Sequence, residues 1–82
     1  MSKPLSPREK EVVRLTTLGC TNAEIGAILG MAANTADTIK RNAMVKLDCN
    51  KAVLLTRLAL KMKITALSDE LTAAERRKAG WE

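Results

Sequence analysis

The sequence of 82 residues contains no histidine, phenylalanine or tyrosine, and only one tryptophan and two cysteines. A structural zinc site needs four ligands, usually cysteine and histidine, so this composition excludes one. The sequence also lacks a glycine-rich phosphate loop and a nucleophile–base pair, and we therefore expect neither an enzyme nor a cofactor or small-molecule ligand. Proteins that bind RNA or single-stranded DNA stack bases on several aromatic side chains, and a single tryptophan does not provide such a platform.

Long hydrophobic runs are also missing. No apolar segment approaches the roughly 18–20 residues that a membrane span requires. The opening residues, MSKPLSPREK, contain no apolar stretch of the kind found in a signal peptide. The sequence therefore predicts a cytoplasmic protein without membrane contact. Cys20 and Cys49 each follow an expected helix end, and we interpret them as small, semi-buried apolar residues rather than as a disulfide.

The residues that are present favour a small basic helical domain. The core must come from leucine, isoleucine, valine, methionine and alanine, which suits helices packed on helices. The net charge is +5, and residues 1–63 hold 11 Lys and Arg against 5 Asp and Glu, a net of +6. This excess of positive charge in residues 1–63 is typical of a nucleic-acid-binding protein. A soluble helical protein that is simply basic has the same net charge.

The segment from Thr21 to Leu47, TNAEIGAILGMAANTADTIKRNAMVKL, has the pattern of two helices joined by a tight turn. Thr21 and Glu24 have the spacing of a reciprocal capping box. Gly30 follows the last apolar residue of the first helix, where a helix end tolerates positive φ. The second helix is longer and has one polar face. A short helix, a turn containing glycine and a longer polar-faced helix are the signature of the helix-turn-helix motif.

The remaining helix ends are predicted from capping residues. Ser6-Pro7-Arg8-Glu9 is a strong helix start. Asn34, with Asp37 three residues later, is expected to cap the third helix, and Asn50 the fourth. The predicted helices run from about Pro7 to Leu18, Asn22 to Leu29, Asn34 to Leu47 and Lys51 to Met62, followed by a short helix that opens at Thr72 with Glu75 and ends at Gly80.

The fourth predicted helix has more apolar residues than one buried stripe requires. In a protein this small, the surplus indicates a second buried contact, which usually means a partner chain. We therefore predict a homodimer interface formed by Leu54, Leu55, Leu58 and Met62.

Three spaced motifs resemble those of the LuxR/GerE-type helix-turn-helix family of bacterial transcription regulators. LSPREKEVVRL resembles the family's L-[ST]-x-R-E-x-E-V-x-x-L, and GCTNAEIGAIL resembles its G-x-[ST]-N-x-E-I-A-x-x-L, with Gly26 where alanine is usual. Thr35 and the later NAMVKL, which includes Lys46, resemble its third helix. The resemblance runs from Leu5 to about Leu60.

The resemblance implies an all-α, four-helix LuxR-type helix-turn-helix domain, which we assign to residues 1–65. Residues 66–82 are then a C-terminal extension with a short helix. It also implies that the third helix binds in the major groove of double-stranded DNA and that the fourth helix forms the dimer. The chain fits either a complete small regulator or the C-terminal part of a larger one.

The early exposed residues of the reading helix approach base edges in this motif. We expect Asp37 to accept from cytosine N4, Thr38 to contact a thymine methyl or either base, and Arg41 to reach guanine or a phosphate. The positive end of the second helix is expected to hold a phosphate. The candidate phosphate contacts are Arg8, Thr21, Asn22, Thr35, Lys40, Lys46 and Lys51.

Asp37 also supports a different interpretation. After Thr35 the family usually has Val, Lys or Arg, any residue and His, whereas this chain has Ala36, Asp37, Thr38 and Ile39. An acid that faces DNA without a cytosine partner repels phosphate, unless it only caps the helix together with Asn34. The alternative function is therefore a protein-interaction module on a helix-turn-helix scaffold, which binds another regulator or RNA polymerase instead of DNA.

Overall fold

A computed structural model describes residues 4–81 of the chain. Over this range the fold is all-α, as predicted, and contains no strand. None of the helices in the described range is long and apolar enough to cross a membrane. The helices are α1 (Pro7–Thr17), α2 (Asn22–Leu29), α3 (Ala33–Lys46), α4 (Ala52–Lys61) and α5 (Ala73–Ala79).

The local capping signals place the first turns of α1, α2 and α5 correctly. In each helix the hydroxyl of the capping residue accepts the amide of a glutamate three residues later, and the glutamate carboxylate accepts the amide of the capping residue. These reciprocal bonds satisfy amides that have no partner within the helix. The three pairs are Ser6 with Glu9, Thr21 with Glu24 and Thr72 with Glu75.

The predicted caps of α3 and α4 are wrong. Helix α3 begins one residue before Asn34, and Ala32 occupies the capping position without a side-chain hydrogen bond. Asp37 does not pair with Asn34, because it bonds to Asn22 on α2 instead. Lys51, not Asn50, occupies the capping position of α4, and it also makes no side-chain capping bond. At both starts, therefore, packing on neighbouring helices outweighs the roughly 1 kcal/mol that a side-chain cap contributes.

Helix α1 lies between two groups of buried apolar residues. Val12 and Leu15 pack in the first group, while Val13, on another side of the helix, packs in the second. The first group joins α1 to α2, the start of α3 and the extension, and the second joins α1 to the end of α3 and to α4. Cys20 and Cys49 are buried and unpaired in different groups, as predicted. The other members are Ile25, Ile28, Ala36 and Leu71 in the first group and Leu5, Ala43, Leu55 and Ala59 in the second.

The C-terminal extension is part of the first group of buried residues. Leu71 is only 4% exposed, and α5 packs against α2. Arg14 on α1 forms ion pairs with Asp69 and Glu75, each at 2.9 Å. The indole nitrogen of Trp81 donates to Glu24, so this residue folds back onto α2. We call the contacts of Arg14 with Asp69 and Glu75 the extension clamp.

The turn between α2 and α3 packs tightly against α2. Gly30 adopts a left-handed conformation with φ of 73° and ends α2, as predicted. A Cβ atom on Gly26 would clash with the carbonyl oxygen of Met31, and the amide of Met31 donates to the Gly26 carbonyl at 2.9 Å. Glycine in place of the family's usual alanine therefore allows the turn to approach α2 closely. This contact positions the beginning of α3.

Candidate DNA-binding surface

One side of α3 is buried and the opposite side faces solvent. Ala36 and Ala43 are completely buried against the neighbouring helices, and Ile39 packs against the first group of buried residues. The spacing of three and four residues between these positions fixes the rotation of the helix. The exposed side consists of Asn34, Thr35, Thr38, Arg41, Asn42 and Val45.

Arg41 is the one charged residue on this exposed side. Its side chain is 76% exposed, and its Nε lies 3.0 Å from Oδ2 of Asp37. Thr38 is also exposed, but its hydroxyl donates to the carbonyl of Asn34 at 3.0 Å. Arg41 therefore offers hydrogen-bond donors to a ligand, whereas Thr38 offers its methyl group and the acceptor capacity of its oxygen.

Asp37 is the centre of a polar network that joins α2 to α3. Its Oδ1 accepts a hydrogen bond from Nδ2 of Asn22 at 3.1 Å. Lys40 Nζ donates to Oδ1 of Asn22 at 3.2 Å and lies 3.6 Å from Asp37. Together with Arg41, these residues form what we call the Asp37 network, which brings together four of the predicted site residues. Two basic side chains thus offset the negative charge of Asp37.

The amino-terminal end of α2 carries both polar groups and an acid. Thr21 is exposed, and its backbone amide donates to Glu24. Hydrogen bonds from this amide and from the Trp81 indole lower the pKa of Glu24, which keeps the carboxylate ionised. Because this charge already interacts with the positive end of the helix, a phosphate at Thr21 would meet a weakened dipole.

The remaining candidate phosphate contacts lie in different surroundings. Lys46 is held by Glu9 on α1 at 2.8 Å, and this hydrogen bond lowers the pKa of Glu9. Arg8 pairs with Glu11 at 2.9 Å on a surface where both side chains are about half exposed. Thr35 and Lys51 are exposed. Lys46 thus fastens the end of α3 to the start of α1, which restricts its approach to a ligand.

A family model described as bacterial regulatory proteins of the luxR family matches residues 3–59. The chain belongs to this luxR family. It is 39% identical over 59 residues to the transcriptional regulatory protein MctR of Rhizobium johnstonii, covering 72% of this chain and 28% of that protein. It is 35% identical over 63 residues to the uncharacterized response regulatory protein YgeK of Escherichia coli K12, covering 77% and 43%.

Another relative of this luxR-family chain is the HTH-type quorum sensing-dependent transcriptional regulator VjbR of Brucella abortus, 37% identical over 65 residues. That match covers 79% of this chain and 25% of VjbR. The chain thus spans less than half the length of these curated relatives. No solved structure gives a significant match. The family match ends at residue 59. Helix α5, which the extension clamp attaches to α1, therefore lies outside the matched segment.

Sequence reasoning missed part of the exposed side of α3 in this luxR-family domain. Asn34, Asn42 and Val45 share that side with Thr38 and Arg41 but were not predicted as site residues. Each of the three lies four residues from Thr38 or Arg41, and this helical spacing is the signal that identifies them. By contrast, the bond from Asn22 to Asp37 spans 15 residues and has no local sequence signal.

The surface of α4 differs in part from the predicted dimer interface. Leu55 is completely buried in the second group of buried residues, so it is not available to a partner in this fold. Leu54 and Met62 are 42% and 43% exposed, and Leu58 is half-buried. Val53, which was not predicted, is 73% exposed. Leu54, Leu58 and Met62 follow one another at intervals of four residues and therefore form one apolar side of α4, whereas Val53 lies on the opposite side of the helix from Met62.

Proposed function

We propose that this luxR-family domain binds double-stranded DNA as part of a bacterial transcription regulator, with α3 in the major groove. The observation that carries the proposal is the exposed polar side of α3, which includes Arg41, on a helix-turn-helix whose family is established. The major groove admits an α-helix, and an arginine donating to O6 and N7 of guanine is the commonest specific contact there. The names of MctR and VjbR, both transcriptional regulators, agree with this function. It also agrees with the expected cytoplasmic location.

The Asp37 network weakens the alternative of a protein-interaction module. That interpretation depends on an uncompensated acid on the reading helix. Lys40 lies 3.6 Å and Arg41 3.0 Å from the Asp37 carboxylate, so opposite charges compensate it within the domain. An acid neutralised in this way repels phosphate much less than an isolated one. We therefore favour DNA as the partner, and we keep the protein partner as an outcome of the test.

We expect the purified protein to bind duplex DNA of mixed genomic sequence and to release it as salt rises. If most of the candidate phosphate contacts are made, affinity falls about 10³-fold between roughly 50 and 200 mM salt through counterion release. On its preferred sequence, Arg41→Ala is expected to lose about 5- to 150-fold in affinity, the range of one good bidentate base contact. Fluorescence anisotropy titrations measure both effects.

Arg77→Ala is the matched control, because it removes the same charge from an exposed position on α5. We expect it to retain the preference for the selected sequence. If the wild-type protein fails to bind duplex DNA even at low salt, the DNA-binding function is wrong. The alternative, a protein partner such as another regulator or RNA polymerase, then takes its place.

We further propose that the domain acts as a homodimer through the apolar surface of α4. Burial of Leu54, Leu58 and Met62 against a second copy removes large apolar side chains from water. Leu54→Glu is expected to convert the dimer to a monomer in sedimentation equilibrium, because it places a charge in that surface. Leu67→Glu, at a position that is 92% exposed, is the control and should leave the dimer intact. A wild-type protein that is monomeric at the concentrations used for DNA binding would contradict the proposal.

A further inference from the structure

We propose that Asp37 is a positioning residue for Arg41 and thereby determines sequence specificity. This inference rests on the proposed function, in which α3 enters the major groove. It replaces the expectation that Asp37 itself reads a base. The proposal assigns a function to the residue that makes this reading helix unusual within its family pattern.

The ion pair between Asp37 and Arg41 leaves the terminal nitrogens of the Arg41 guanidinium available to bind a ligand. Asp37 Oδ2 lies 3.0 Å from Nε of Arg41, one helical turn away. A guanidinium group has five N–H donors, one on Nε and four on its two terminal nitrogens. This contact is an ion pair at Nε, and among the described residues no hydrogen bond occupies the terminal nitrogens of Arg41, so their planar fork remains available to a ligand. Such a fork matches the two acceptors of guanine in the major groove.

Asp37 is suited to this function because it is held from the other helix. Asn22 donates to its Oδ1 at 3.1 Å, and Lys40 bridges the two residues by donating to Asn22 at 3.2 Å. The Asp37 side chain is 26% exposed, whereas that of Arg41 is 76% exposed. The carboxylate is therefore the fixed end of the pair and the guanidinium the accessible end. Restricting Arg41 before binding reduces the side-chain entropy lost when it contacts a base.

The positioning function and the charge of Asp37 affect DNA binding in opposite directions. Its negative charge is offset by Lys40 and Arg41, and this pairing lowers the affinity for any duplex because it takes up positive charge that would otherwise attract the phosphates. Its hold on Arg41 raises affinity only for duplexes that place a guanine correctly. Removal of Asp37 should therefore strengthen binding to mixed DNA and weaken discrimination. A residue that only stabilised the fold would not separate these two effects.

The test begins with selection of preferred duplexes from a random-sequence pool by the wild-type protein. Binding to the selected duplex and to mixed DNA is then measured at one salt concentration for wild type, Asp37→Ala, Arg41→Ala and the double variant. We expect Asp37→Ala to bind mixed DNA more tightly and to lose at least about fivefold in the ratio of the two affinities, the lower end of one base contact. In the Arg41→Ala background, Asp37→Ala should change that ratio no further.

Two controls separate positioning from charge and from folding. Glu70→Gln removes one exposed negative charge outside the Asp37 network, and we expect it to leave the ratio unchanged. Asp37→Asn keeps an acceptor for Arg41 and should recover part of the discrimination that Asp37→Ala loses. Thermal unfolding of every variant verifies that the comparison concerns folded protein.

The base position that each variant relaxes decides between positioning and direct reading. If Asp37 positions Arg41, Asp37→Ala and Arg41→Ala relax the same base pair in a repeated selection. Relaxation of a different base pair, or an unchanged ratio, overturns this proposal while leaving the DNA-binding function intact. If wild type selects no duplex at all, the proposed function itself fails, and this proposal fails with it.

Discussion

Replacing Leu55 by alanine is expected to lower the free energy of unfolding by about 3 kcal/mol, within the range measured for buried leucines. Leu55 is completely buried, and it is the largest fully buried side chain on α4. It packs in the group that joins α4 to α1 and to the end of α3. Removal of its three outer carbon atoms leaves a cavity that the short helices fill only in part. A domain of this size has little stability in reserve, so a large fraction of molecules should unfold on mild heating.

Urea denaturation followed by circular dichroism measures the loss. Leu67→Ala is the control, because Leu67 is 92% exposed and should change stability by no more than about 0.5 kcal/mol. Protein concentration must be held equal, since dimer formation adds to apparent stability. If Leu55→Ala keeps full monomer stability and only abolishes a dimer, Leu55 is an interface residue as the sequence predicted. The complete burial of Leu55 in the monomer would then be wrong.

The contrast between Leu54 and Leu55 illustrates what sequence periodicity leaves open. Helix α4 has apolar residues on more than one side, so the pattern alone does not say which leucine faces the core. That choice depends on how α4 packs against α1 and α3, which is a property of the whole fold. The capping boxes at Ser6, Thr21 and Thr72 were predictable because donor and acceptor lie three residues apart. Sequence therefore predicted the helices better than it predicted the surfaces they present.

The candidate site shows the same limit. The exposed face of α3 follows from helical spacing, and Arg41 was identified from it. The hydrogen bond between Asn22 and Asp37 was not predicted, because Asn22 lies on another helix, 15 residues earlier in the chain. Asn34 and Asn50 have the side chains of good caps, yet Ala32 and Lys51 occupy the capping positions. Capping residues therefore failed to predict the helix start at the two places where packing between helices determines the conformation.

The extension clamp is the clearest case of a contact without a local signal. Arg14 lies 55 residues from Asp69 and 61 from Glu75. Its Nε and one terminal nitrogen donate to the two oxygens of Asp69 at 2.9 and 3.2 Å, and the other terminal nitrogen donates to Glu75 at 2.9 Å. The carbonyl of Glu70 accepts a further bond at 3.0 Å. One half-buried guanidinium thus connects α1 to both the loop before α5 and α5 itself.

Arg14→Met is expected to lower the free energy of unfolding by about 2–3 kcal/mol, because it leaves two acidic side chains without their basic partner. Methionine retains most of the apolar stem, so the loss reports mainly on the charged hydrogen bonds. In the Arg14→Met variant we also expect the backbone amides of α5 to exchange hydrogen faster than those of α1, because a helix as short as α5 does not persist without packing. Arg8→Met removes an exposed ion pair and should cost no more than about 1 kcal/mol, which makes it the control.

The pH dependence of the same variant provides the sharpest test of the extension clamp. The hydrogen bond from Arg14 lowers the pKa of Asp69 below its usual value of 3.8. Burial raises the pKa of Glu75, but hydrogen bonds from the Thr72 backbone and from Arg14 outweigh it and lower that pKa below 4.5. A carboxyl group whose pKa is lower in the folded state contributes stability above its unfolded pKa. That contribution is lost as the pH falls through the folded pKa.

The wild-type protein should therefore lose stability as the pH falls from about 5, where both carboxyl groups are largely ionised even in the unfolded chain, through the lowered pKa values of Asp69 and Glu75 in the folded state. Arg14→Met should show a shallower loss, because its carboxyl groups no longer have a basic partner to lower their pKa values. The difference in unfolding free energy between the two proteins is then largest near neutral pH and shrinks in acid. A difference that stays constant from neutral pH to acid would mean that Arg14 acts through packing of its stem, and the electrostatic account of the clamp would have to be abandoned.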